Sequence, residues 1–199
     1  MTDEPFAWLD ELETGAPDVV AAYRGIDVGA PPSVRREIRR RSADGSADRV
    51  VGQLAVVAEA VSGLVAELPD VAFGLPGGEA DWTVAETIGH AASARAGLAM
   101  AAAQAASGRW PGDAPPVVPG VPGPVDASRE MLIARIATSQ RIIARSARAV
   151  AGHETDACPL DHPLVGRLRC GEWLLFAGVH DLMHLEQLHQ IVAALAEPV

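Results

Sequence analysis

Between Ser46 and Leu68 the large apolar residues Val50, Leu54, Val57, Val61, Leu64 and Leu68 recur at alternating spacings of four and three. That spacing lines one side of an α-helix with apolar side chains, as in the seam of a bundle, and Pro69 closes the segment. A second helix is predicted from "DWTVAETIGH". There Thr83 and Glu86 form a Thr-x-x-Glu capping box, each side chain satisfying a first-turn backbone N–H that has no helical partner. It runs to about Ser107. The next stretch, "GRWPGDAPPVVPGVPGPVD", is broken by proline and glycine throughout and reads as a long connection without helix or strand. A third helix is predicted over 127–151, with Asp126 as its N-cap, Leu132, Ile136, Ile143 and Val150 on one side, and Gly152 at its end. After a loop over 152–170, a fourth helix runs from Gly171 to about Ala196, stopped by Pro198. Strand signals are nearly absent, with aromatics at 4% and no sustained period-two alternation.

Four helices of this length predict an all-α four-helix bundle, and the long link between the second and third permits a crossover rather than a tight hairpin. The expected division is an N-terminal helical extension, residues 1–45, followed by the bundle, residues 46–199. The extension carries the one basic run, "SVRREIRRR". Arg35–Arg41 reads either as a solvated or salt-bridged face beside the acidic N-terminus, or as a contact for phosphate or a second copy.

A chain of 199 residues suffices for one domain with its own core. A formal charge of −10 argues against a nucleic-acid partner. All 16 basic residues are arginine, with no lysine or asparagine, a bias of the kind GC-rich coding produces. The apolar run 91–106 is too short and too alanine-rich to span a bilayer, and the acidic N-terminus lacks a signal-peptide pattern. No membrane partner is expected. Cys158 and Cys170 match neither a C-x-x-C motif nor a disulfide framework, so a reduced, cytoplasmic chain is expected. Assembly as a homodimer is left open.

The candidate chemistry lies in "GVHDLMHLEQLHQI", which holds three of the chain's six histidines. At 100° per residue, Trp173, Ala177, His180, His184, Leu188, Ile191 and Leu195 share one arc of the fourth helix. The apolar members must face the interior, so His180 and His184 face it too, stacked one turn apart. His189 falls nearly opposite, on the expected solvent side. Two adjacent buried imidazoles need partners for four ring nitrogens and cannot both be charged. A shared divalent cation meets both needs; two separately satisfied core histidines are the other reading. A third donor has to come from elsewhere. His90, in the second helix, lies on a flank of small residues with Thr87, Ala94, Gly97 and Ala101, where there is room for a cavity. His153 and His162 stand near Cys158 and Asp161 in the third-to-fourth connection, but their spacing fits no closed zinc pattern, and they read as loop polar residues.

Two blocks, "DWTVAETIGHAASAR" and "HDLMHLEQL", in this order and about ninety residues apart, resemble the DinB/YfiT-like metalloenzymes. That family includes the mycothiol-dependent maleylpyruvate isomerase group and related thiol S-transferases. The resemblance spans roughly residues 47–196. It implies a four-helix bundle with a crossover, with His90, His180 and His184 binding one divalent metal, zinc first and nickel second. Gln187 falls on the same arc, suited to hydrogen-bond a ligating histidine. The isomerase branch can place a glutamate among the ligands; this chain has histidine at all three positions.

A three-histidine site keeps the metal's positive charge and an open position, so a low-molecular-weight thiol, mycothiol-like, is the expected cosubstrate for attack on a small electrophile. Glu86 and Asp181 are the candidates for orienting groups or moving a proton, with Glu86 also readable as a cap alone. "HDLMH" differs from the zincin His-Glu-x-x-His by its aspartate, which leaves a metal-dependent hydrolase as an alternative. A non-catalytic metal-binding or small-molecule-binding bundle is the third reading.

Overall fold

The computed structural model describes residues 6–26, 31–78 and 81–196, and the expected helix stop at Pro198 lies outside them. The architecture is all-α with one small hairpin. Three N-terminal helices, α1 (Ala7–Glu13), α2 (Pro17–Arg24) and α3 (Pro31–Arg41), precede the bundle helices α4 (Ala47–Glu67), α5 (Val84–Ala106), α6 (Arg129–Val150) and α7 (Cys170–Ala196). The seam residues Val50, Leu54, Val57 and Val61 of α4 are all buried. By length and composition α4 could cross a membrane; here that apolar face is packed inside the bundle.

The capping box at the start of α5 is present in both directions: Glu86 N–H donates to Thr83 Oγ1, and Thr83 N–H donates to Glu86. The start of α6 differs from expectation. Its N-cap is Ser128 rather than Asp126, and the Ser128 hydroxyl accepts from the Met131 N–H. A second difference is the 152–170 loop, which contains an antiparallel hairpin of β1 (Ala157–His162) and β2 (Gly166–Arg169). Cys158, Leu160 and Leu168 point inward, an alternation too short to stand out as a strand signal.

The long connection has a physical cause. Arg95, midway along α5, reaches Ser139 and Gln140, midway along α6. Gly123, shortly before α6, donates its N–H to the Glu86 carbonyl at the start of α5. The two helices are therefore parallel neighbours, and residues 107–128 must carry the chain back along a 23-residue helix, about 35 Å. On the way they pair with β1: Val118 N–H donates to Asp161 O, and Asp161 N–H to Pro116 O, both at 2.8 Å.

The N-terminal helices are part of the same core. Val19, Val20, Val34 and Ile38 are buried in it. Gln53 of α4 accepts the Asp18 and Val19 N–H groups, supplying partners that the first turn of α2 lacks. Gly178 of α7 permits the approach, since a Cβ there would stand 2.5 Å from Leu54 Cδ2 and 2.9 Å from Val19 Cγ1. The first half of α7 is thus buried on every side. His189 is accordingly not on a solvent face: it is half-buried and stacks on Trp8, centroids 5.0 Å apart. Leu195, expected inside, is 41% exposed at the far end of the helix. The basic run is salt-bridged, among the described residues to Glu37 and Glu172. Arg41 reaches Glu37 at 2.6 Å, and Arg39 reaches the buried Glu172 at 2.7 Å.

Candidate metal centre

α5 and α7 run antiparallel and put His90 opposite His180 and His184. All three side chains are buried, and one ring nitrogen from each lies within 4.8 Å of the other two. Among the described residues they form the only such cluster of potential metal ligands. The ring of His90 is 5.4 Å from that of His180 and 5.3 Å from that of His184, centroid to centroid. Trp82 covers His90 from the side, at 4.9 Å.

The hydrogen bonds decide which nitrogens point inward. Nδ1 of His90 stands 2.7 Å from the Val121 carbonyl. A carbonyl only accepts, so Nδ1 carries the proton and the Nε2 lone pair is free to face the cluster. His184 Nδ1 stands 2.7 Å from Gln187 Oε1, so it too carries the proton, and its Nε2 faces the cluster. The His180 and His184 Nε2 atoms then face each other at 3.3 Å. Two nitrogens each 2.0–2.1 Å from one tetrahedral cation stand about 3.3–3.4 Å apart. The other nitrogen of His180, Nδ1, points away from the cluster and is buried with no hydrogen-bond partner among the described residues. Burial, followed by the neighbouring His184, His90 and His162 rings, holds the His180 pKa well below the usual imidazole range. The ring is neutral at pH 7, the form that ligates. The donor set, tautomers and spacing fit a divalent cation.

The two carboxylates stand elsewhere. Glu86 accepts from the Thr83 N–H and hydroxyl. Asp181 pairs with Arg95, Nε to Oδ2 at 2.7 Å, both buried. Burial raises the Asp181 carboxyl to about 6, even though the guanidinium pulls the other way. His153 is exposed and pairs with Asp156, while His162 turns inward onto Phe176, centroids 4.9 Å apart.

Two supports of the site carry no sequence signal of their own. One is a backbone atom, the Val121 carbonyl. The other is the contact that brings it there: a Cβ on Gly89 would lie 2.9 Å from Gly123 Cα, so only glycine at both positions lets the crossover lie this close to α5. Arg95 has a signal that could have found it, as the one charged residue in the alanine-rich stretch 91–106.

The family model of the DinB superfamily matches residues 53–188, from within α4 to within α7, with all three histidines and Gln187 inside the match. The chain belongs to the DinB superfamily. No curated protein and no solved structure gives a significant match. The DinB superfamily is known as metal-binding, and the buried histidines are where this member could hold an ion.

Proposed function

We propose that this DinB-superfamily protein is a metal-dependent enzyme acting through one divalent cation, zinc or else nickel, held by His90, His180 and His184. The observation that carries the reading is the 3.3 Å approach of the inward His180 and His184 Nε2 atoms beside His90, with Gln187 holding the outer nitrogen of His184. Such a cation supplies Lewis acidity, favouring a thiolate over a thiol near neutral pH.

The residues of this chain do the rest. Val121 and Gln187 fix the tautomers and ring planes of His90 and His184, the role that hydrogen-bond partners of ligating histidines take in metal sites generally. Glu86 acts by capping the helix that carries His90, and Asp181 by tying α7 to α5 through Arg95. The zincin-like hydrolase reading finds no support in an aspartate locked to an arginine.

The attacking thiol comes from a cosubstrate, mycothiol-like, that meets a small electrophile for S-transfer or isomerisation. Both cysteines are buried and free. Burial raises the thiol of Cys158 above its usual range and pushes that of Cys170 up to about 12, which leaves neither reactive at neutral pH. Two reduced thiols also support a cytoplasmic setting.

Elemental analysis of the purified chain is the test, beside His90→Ala and His184→Ala. The expected result is near-stoichiometric metal in the parent and its loss in both variants at unchanged helical content. Metal retained in both would defeat the proposal. Thiol–electrophile assays of the loaded protein then decide the reaction.

A further inference from the structure

A cavity of about 350 Å³ opens between α5, the crossover and β1, with His90 in its wall. We infer that it is the binding site for an uncharged, apolar organic group, the body of the electrophile whose reacting end lies at the histidine cluster. The assignment of that body to the electrophile rests on the metal-site reading; the pocket itself does not.

The cavity is built, not left over from loose packing. The crossover touches α5 where Gly89 meets Gly123, and it is fastened to β1 by the two Asp161 hydrogen bonds. Between those anchors it stands off. A Cβ on Gly97 would meet nothing within 4 Å, whereas one on Gly89 would collide with backbone. The same helix thus enforces contact at one glycine and leaves space at another, two turns on. Ala101 keeps the floor low, and Trp110 and Leu160 supply apolar walls.

The lining defines the ligand's chemistry. Among the described residues no Asp, Glu or Arg side chain borders the cavity, in a chain where those residues are abundant. An ionic group entering it would lose hydration with no counter-ion in return. The volume lies at the small end of ligand sites, and the flat indole of Trp110 favours an aromatic or similarly compact body. Val121 joins the two regions: its carbonyl holds His90, while its side chain is 56% exposed beside the cavity, apolar surface that a ligand would cover.

The test titrates the full-length protein with 2-naphthol, and with 2-naphthalenesulfonate as its anionic counterpart, with and without metal. The expected result is saturable 2-naphthol binding in both states, at least tenfold tighter than the sulfonate in the metal-free protein. Gly97→Leu, which fills the cavity where there is open space, should weaken it at least tenfold while metal content stays at the parent level. Ala101→Leu is a second filling variant, read the same way should the first not fold. Absence of saturable 2-naphthol binding to the parent overturns the inference. So does binding indifferent to both substitutions in folded protein. A parent chain that binds 2-naphthol but takes up no metal would overturn the metal reading and leave the pocket standing.

Discussion

Two buried polar clusters sit side by side between α5 and α7. They share sequence neighbours: His180 belongs to one and Asp181 to the other. The Arg95 cluster is closed. Its guanidinium donates to Asp181, Ser139, Gln140 and the Leu54 carbonyl, joining all four bundle helices. The histidine cluster is held on its outer edge at Val121 and Gln187, and turns a ring nitrogen of each histidine towards its own centre. Burial is the same in both; completeness is not. A buried polar group without a partner costs free energy, so a fold that leaves one incomplete and finishes the other beside it has separated two tasks. The closed cluster ties the four helices together, and the open one offers the donors of a metal site.

The comparison breaks most visibly at Arg95. Arg95→Ala leaves the Asp181 carboxylate buried without its partner and should cost about 3–5 kcal/mol, read from urea denaturation. Replacing both partners, as Arg95→Met with Asp181→Leu, should recover most of that loss, because the penalty lies in the uncompensated charge. A loss below about 1 kcal/mol for Arg95→Ala would mean that the network does not hold the bundle together.

The same kind of change at the histidines should have the opposite sign. His180→Leu removes a buried Nδ1 that has no partner among the described residues, beside Phe176. Metal-free protein should gain about 1–2 kcal/mol, while metal binding is lost. Destabilisation of the metal-free variant would show that His180 is a satisfied core residue.

What could be read from the sequence divides along similar lines. The seam of α4, the capping box at Thr83 and Glu86, and the His180–His184 spacing all express local periodicity, so pattern reading reaches them. Ala94, Gly97 and Ala101 even foretold space beside His90, whereas Thr87 of the same flank packs tightly against Gly77. The inward face of α7 was inferred from an amphipathic stripe, yet its first half is buried all round because α2 and α3 cover it. That covering depends on Gly178 and Gln53, residues that look ordinary until the helices meet. His189 was misplaced for a related reason, since Trp8 of α1 stacks on it. The hairpin escaped because only Cys158, Leu160 and Leu168 carry its alternation. The Val121 carbonyl could not be read at all, since a backbone atom leaves no trace in residue type.

The smallest expected effect uses His162, a histidine outside both clusters, to ask whether burial alone neutralises an imidazole here. Its Nδ1 accepts the Leu164 N–H and its ring lies against Phe176. Burial, with a lesser contribution from His90, lowers its pKa from 6.5 to about 4. Between those values the unfolded chain takes up a proton that the folded one refuses, so stability falls as pH drops through that window and is unaffected above it. Asp181 works the other way: its raised pKa favours the fold as pH falls from about 6 towards 3.8. The wild-type profile therefore mixes both signs, and the variant His162→Leu separates them. From pH 7 to pH 5 full desolvation would carry roughly 2 kcal/mol, which the solvent still touching this half-buried ring reduces to about 1 kcal/mol. Wild type should lose that much more stability than the variant over the interval. Equal losses would mean that the ring takes up its proton within the fold, and that burial at this end of the bundle is too shallow to keep an imidazole neutral.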